Sequence, residues 1–361
     1  MSGFLTLRQH SVDVILENQH ASGAFIASPN FGVYRYSWFR DGAFIAEAMR
    51  VVGEHASAAR FHVWAAGVVN ARAEQMAALV ARSQDGDEPE PEDHLHCRYN
   101  LDGSTADEEW TNFQLDGFGT WLWAVTQCWP DEPPADVRAA VHRLVPYLTQ
   151  FWATPSFDWW EESAGHVHVS SVGCIARGLE SVAGASWLDA DVRRSAASTA
   201  SAIRAAILSD GVFAGALAKW FGGGDAVDAS ALALIAPLGF LNPASHLAAE
   251  TVAAIRNRLA NPGVHRHLGD TYFGGGQWLL LTAMLGLAEL ALGDADSAQQ
   301  RLIWIGAQAR PNGDLPEQVP VRLLFPDFEA KWIEQWGPVA SPLLWSHAMF
   351  LLLDEALKES E

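Results

Sequence analysis

The stretch PADVRAAVHRLVPYLTQFW, residues 134–152, sets Val137, Val141, Leu144, Val145, Leu148, Phe151 and Trp152 along one face at three- and four-residue steps. That spacing is the signature of an amphipathic helix. Pro146 inside the run predicts a kink. Outward from this segment, stretches of the same character fall near 4–19, 41–54, 57–83 and 114–129 on one side. On the other they fall near 168–183, 186–209, 226–236, 244–260, 275–292, 294–310 and 341–358. The reading is about twelve helices. Strand signals are limited to short pieces such as Val212-Phe213 and the 262–274 segment, each a candidate for a small hairpin. The fold class is all-α.

Composition narrows the function. Hydrophobic residues make up 49% of the 361 and charged residues 18%, which is ample material for a packed core. A net charge of −20, from 43 acidic and 23 basic residues, repels a phosphate backbone and an anionic membrane alike. Nucleic acid and membrane are therefore excluded as partners. The N-terminus MSGFLTLRQHSVDVILENQHASG lacks the pattern of a signal peptide, and no apolar stretch of spanning length follows. The expected compartment is the cytoplasm, and Cys97, Cys128 and Cys174, scattered and odd in number, fit reduced thiols. Sixteen tryptophans exceed what a core requires, and flat aromatic faces suit the C–H faces of sugar rings.

The polar, aromatic and glycine-rich segments recur with a rhythm. Long loops are expected at 84–109, 211–225 and 311–340, and such loops in a compact helical protein usually carry function. Tyr34 to Gly42 precedes the second helix, Glu109 to Gly117 the fourth, and Trp159-Trp160-Glu161-Glu162 the sixth. Gly222-Gly223-Gly224-Asp225 precedes the eighth, Arg266 to Trp278 the tenth, and Glu317 to Trp345 the twelfth. Helices alternating between an inner and an outer ring put all six segments at one end, where helix N-termini supply oriented amides. This is an (α/α)6 barrel. With no linker or short repeat, one catalytic domain over residues 1–361 is the expectation.

Glycoside hydrolysis requires one carboxylic acid to protonate the leaving oxygen and a second carboxylate on the opposite side of the ring. Glu161 and Glu162 follow Asp158-Trp159-Trp160, and burial against tryptophan raises a carboxyl pKa. First-turn helix glutamates are the competing explanation. Glu317 stands in NGDLPEQ, residues 312–318, behind a stiffening proline; a solvated loop acid is its alternative. Arg40-Asp41, and Arg266 with Asp270, offer donors and acceptors for vicinal hydroxyls. The pairs His94/His96/Cys97 and His166/His168 lack the rest of a zinc pattern, so no metal is expected. Gly222–Gly224 and Gly274–Gly276 lack a phosphate-loop context, so no nucleotide or other cofactor is expected.

In this order the motifs resemble the glucoamylase-like glycoside hydrolases of family 15. YRYSWFRDGAF, 34–44, is similar to the family segment whose Arg-Asp pair grips the terminal glucose, which implies Arg40 and Asp41. DWWEE, 158–162, resembles the segment whose first glutamate is the general acid, implying Glu161, and whose second touches sugar, implying Glu162. DAVDAS, 225–230, and HRHLGDTYFGGGQW, 265–278, resemble prokaryotic members and imply a sugar contact from Arg266. GDLPEQ, 313–318, matches the base segment, so Glu317 would activate water; SPLLWSHA, 341–348, also fits. Tyr36, Trp38, Trp160 and Trp278 from these motifs would bind substrate, with Trp110 and the 84–109 loop shaping the aglycone side.

The resemblance implies an inverting, exo-acting enzyme that releases β-glucose from short α-gluco-oligosaccharides. Isomaltose-type α-1,6 links are slightly preferred over α-1,4. Prokaryotic members usually carry a β-sandwich ahead of the barrel, whereas here the first helix is expected within ten residues of Met1. No starch-binding module is evident, which disfavours granular starch. The expected state is a monomer or weak homo-oligomer. A trehalase, a disaccharide phosphorylase using phosphate in place of the base, and a non-catalytic carbohydrate-binding protein are the alternatives.

Overall fold

The computed structural model describes residues 2–360. Burial sorts its helices into two kinds. α1 (Ser2–Glu17) is followed by α2 (Phe39–Val51), in which every residue from Phe39 to Met49 is buried. α3 (His55–Asn70), α4 (Ala73–Gln84), α5 (Asp116–Cys128), α6 (Ala135–Phe151), α7 (Val169–Ala183), α8 (Ala190–Asp210) and α9 (His246–Leu259) come next. α10 (Leu279–Ala291) is buried without a break from Leu279 to Glu289, and α11 (Ala295–Ala307), α12 (Glu329–Trp336) and α13 (Leu344–Ser360) complete the series. A helix apolar on every side belongs inside. One with a single stripe, such as Ala248, Thr251, Val252, Ile255 and Leu259 of α9, belongs outside.

The contacts close a ring. α2 packs on α5, α5 on α7, and α7 on a 3-10 helix at Ala229–Leu234; that element packs on α10, α10 on α13, and α13 back on α2. Around them, α3 covers α2, α8 covers α7, α9 backs the 3-10 helix, α11 covers α10 and α1 covers α13. α6 lies between α3 and α8. This is an (α/α)6 barrel. The tightest seam joins α5 and α7: a Cβ on Gly178 would lie 2.2 Å from the Gly119 carbonyl oxygen. Only glycine permits that approach.

Four details differ from the sequence reading. The helix expected over 57–83 breaks into α3 and α4, with Arg72 turned out of helical geometry so that its guanidinium lies 4.2 Å over the Tyr99 ring. The element expected over 226–236 is a six-residue 3-10 helix, opened by Asp228 accepting from Ser230 N–H and followed shortly by Pro237. α12 stands inside the 311–340 loop. The 262–274 segment forms no two-stranded hairpin among the described residues, whereas the expected one at 212 does form, β3 (Val212–Phe213) on β4 (Ala216–Leu217). α6 runs unbroken through Pro146. No described helix is long and apolar enough to cross a membrane.

Candidate active site

Two short ladders brace the loops at the inner-helix N-termini. β1 (Ser37–Trp38) pairs antiparallel with β2 (Arg98–Tyr99), and β5 (Gln277–Trp278) with β6 (Gln318–Val319). The second ladder sets Trp278 opposite Gln318, the residue after Glu317. The glycines ahead of β5 serve close packing: a Cβ on Gly276 would lie 2.5 Å from Gln318 Oε1. Between the ladders lies a chamber of about 470 Å³, counted to its open mouth. Tyr34, Trp38, Arg40, Asp41, Trp159, Trp160, Glu161, Arg266, Trp278, Glu317, Leu343 and Trp345 line it with Ala27.

Glu161 is partly exposed and sits on a tight turn at φ +65°, a left-handed conformation rare for a residue with a side chain. Its N–H donates to the Asp158 carbonyl at 3.0 Å. The Asp158 carboxylate accepts from the backbone N–H groups of Trp160 and Glu162, each at 2.9 Å. The Trp38 indole N–H donates to Glu161 Oε1 at 2.7 Å, which fixes one oxygen and leaves Oε2 for a proton. Trp160 is held in turn by its indole N–H on the Asp228 carboxylate.

Glu317 is 2% exposed. The Tyr34 hydroxyl donates to its Oε1 at 2.9 Å, and the Tyr272 hydroxyl stands 3.0 Å from that of Tyr34. Its Oε2 is buried without a hydrogen-bond partner. Burial pushes the carboxyl up to about 8, against the pull of Tyr34 and Arg266. A carboxylate in such surroundings is a stronger base than one in water.

The floor is charged and aromatic together. Arg40 donates to Gln114 Oε1 at 3.0 Å and to buried Asp116 Oδ2 at 2.8 Å, and its guanidinium lies 5.6 Å from Trp159 and 5.7 Å from Trp345. Arg40 Nε and the Trp278 indole N–H are buried without a hydrogen bond, the Asp41 carboxylate standing 3.9 Å from the former. Unpaired buried donors beside an unpaired carboxylate oxygen suit a ring carrying several hydroxyls. Burial raises Asp41 to about 7, with Arg40 opposing. On the other wall Arg266 is clamped bidentately by Asp270, at 2.9 and 2.5 Å, and donates to Glu162 Oε1 at 3.0 Å. Burial raises the Glu162 carboxyl, but His267 and Arg266 outweigh it and hold the group at about 2.

Tyr34, Trp160, Glu161 and Arg266 also border an outer vestibule of about 1200 Å³, walled by Trp110, Glu162, Tyr272, Trp332 and Trp336 and touched by Glu92 and Glu109. The structure therefore gathers Trp38, Arg40, Asp41, Trp160, Glu161, Arg266, Trp278 and Glu317 in the chamber, with Trp110 and Glu162 outside it. Tyr36 is a correction. It lines neither cavity, and instead packs behind Trp38, with the Arg98 guanidinium 4.2 Å over its ring. His94 stacks on Phe113 and His166 on Trp220, and no described cluster of His, Cys, Asp or Glu is placed to hold a metal.

Sequence reasoning passed over Tyr34, Tyr272, Trp159 and Trp345 as site residues. All four stand inside or beside the quoted motifs, so proximity to a motif was the available signal. Lys219 had none.

A ring of helices around an aromatic chamber with two separately held carboxylates defines the class, a glycoside hydrolase. The family model for glycosyl hydrolases family 15 matches residues 4–303, and the chain belongs to that family. An isomaltose glucohydrolase from Kribbella flavida is 42% identical over 369 residues, covering 97% of this chain and 92% of that protein. A solved wild-type glycosidase superposes with a TM-score of 0.96 at 42% identity, over 99% of this chain and 97% of its own. A bacterial glucoamylase complexed with acarbose shares the fold, with a TM-score of 0.74 at 18% identity over 98% of this chain and 56% of its own.

Proposed function

We propose that the protein is an inverting, exo-acting α-glucoside hydrolase that removes β-glucose from the non-reducing end of short α-gluco-oligosaccharides, with isomaltose-type α-1,6 links preferred. The observation that carries the reading is the unequal holding of the two carboxylates around one chamber. Glu161 has an oxygen free for a proton on the side shared with the vestibule. Glu317 has a buried oxygen free to draw a proton from water. The terminal glucose occupies the chamber on Arg40 and Asp41, between Trp38 and Trp160, with Arg266 on the opposite wall. Glu161 protonates the glycosidic oxygen, Glu317 deprotonates a water on the far face, and the aglycone leaves through the vestibule past Trp110 and Glu162. The α-1,6 preference is supported by the likeness to an isomaltose glucohydrolase. A glucose-filled chamber is supported by a similar glycosidase, 41% identical, solved in complex with glucose.

The test is glucose release from isomaltose, maltose, panose, trehalose and dextran, with the product anomer followed by NMR. Early β-glucose, fastest from isomaltose, is expected. Early α-glucose would overturn the inverting assignment, because a single displacement inverts the anomeric centre.

A further inference from the structure

One buried cation has no part in these steps. Lys219, between β4 and the 3-10 helix, is 7% exposed, and its ammonium stands 3.1 Å from Asp158 Oδ2 and 3.1 Å from Asp228 Oδ2. Its backbone is fixed too: the carbonyl accepts from Val169 N–H at the start of α7, and the N–H donates to the Ala226 carbonyl. A buried ammonium is tolerated only when paired. Here both partners carry further loads.

Asp158 closes the loop that bears Glu161. Its Oδ1 accepts from Trp160 and Glu162, its carbonyl accepts from Glu161 N–H, and its own N–H donates to the Glu162 carbonyl at 3.0 Å. Asp158 Oδ2 has no hydrogen bond of its own, so the ammonium is its compensation. Asp228 takes the Trp160 indole and the Ser230 hydroxyl. The left-handed backbone at Glu161 persists only where its surroundings impose it. Lys219, Asp158 and Asp228 line neither the chamber nor the vestibule.

We propose that Lys219 is a positioning residue for the general acid: by clasping Asp158 to Asp228 it holds the Asp158–Glu162 turn, with Glu161 and Trp160, against the fourth inner element of the ring. The proposal rests on Glu161 being that acid. It separates chemistry from fold, because a sugar leaving group needs the acid's proton whereas fluoride departs largely without it.

The experiment compares kcat on isomaltose and on α-glucosyl fluoride for the wild type, Lys219→Met, Lys219→Arg and Glu161→Gln. Lys219→Met is expected to lose about 10²-fold on isomaltose, the scale of a misplaced catalytic group, and to keep most of its rate on the fluoride. Lys219→Arg, which retains the charge, restores most of the isomaltose rate. Should Lys219→Met fail to fold, Asp228→Asn keeps an oxygen for Trp160 while weakening the clasp, and shows the same split on a smaller scale. Glu161→Gln must show the split for the acid assignment to stand; if it does not, that assignment falls and the clasp's role with it. If Glu161→Gln splits the substrates while the clasp variants lose both alike, or neither, Lys219 is ordinary scaffolding and the proposal is overturned.

Discussion

Glu161 and Glu317 border the same chamber, yet the protein treats them in opposite ways. Glu161 is partly exposed on a turn that is itself tied down by charges, with Trp38 gripping one oxygen. Glu317 is almost wholly buried, fed a single hydroxyl by Tyr34 and otherwise left dry. On the proposed mechanism the acid's site is built for position and the base's for desolvation. Two identical side chains would thereby acquire different duties from their environments.

The sharpest way to break this contrast is to remove each carboxylate in turn. Glu161→Gln and Glu317→Gln should each cost about 10²–10⁴-fold in kcat on isomaltose. On α-glucosyl fluoride only Glu317→Gln should remain crippled, since water must still be activated there. Equal losses on both substrates for both variants would erase the division of labour.

A smaller effect is expected at Tyr34. Tyr34→Phe deletes a donor to a buried carboxylate, an interaction of about 1.5–3 kcal/mol, so kcat/KM should fall by roughly 10- to 150-fold. The donor favours the ionised base, and its loss raises the pKa of Glu317 further. The acidic limb of the kcat/KM–pH profile, which reports the free enzyme's base, should therefore move to higher pH. A shift to lower pH would mean that Tyr34 does not serve the base.

The last effect is on stability. The folded pKa of Glu317, about 8, lies above its unfolded value of roughly 4.3. Between these values the native state binds a proton that the unfolded state has released, so its stability is full below pH ~4.3 and declines as pH rises through about 8. Subtracting the unfolding free energy of Glu317→Gln cancels most other titrations. The difference should fall with pH across that window, by at most about 1.4 kcal/mol per pH unit. A flat or rising difference would show that Glu317 is not desolvated.

Much of this was legible in the chain because it is local. The stripe of α6 declares a helix, and the six aromatic or glycine-rich segments declare which ends of the helices face the site. Glu161 and Glu317 stand in short motifs and could be named from them. What escaped is long-range or marginal. Tyr34 and Glu317 are 283 residues apart in sequence, and their hydrogen bond has no local signature. Lys219 looks like any loop lysine until the fold sets Asp158 and Asp228 on either side of it. α12 is eight residues long within a loop rich in proline and phenylalanine, too short for periodicity to speak. Tyr36 misled because it stands just ahead of β1, where its ring packs against Trp38 and beneath the Arg98 guanidinium and not into the chamber.

The fourth inner position of the ring is six residues of 3-10 helix where α2, α5 and α10 each have thirteen of α-helix. It has fewer and poorer backbone hydrogen bonds than its neighbours, so it is the natural seam for sub-global opening. Asp228 caps that seam and, on the proposal above, carries the acid's support. On heating, amide exchange should quicken first between Asp228 and Ile235, and turnover should fade several degrees before the barrel melts. The working temperature of the catalyst would then be set by its shortest spoke and not by the bulk of its core.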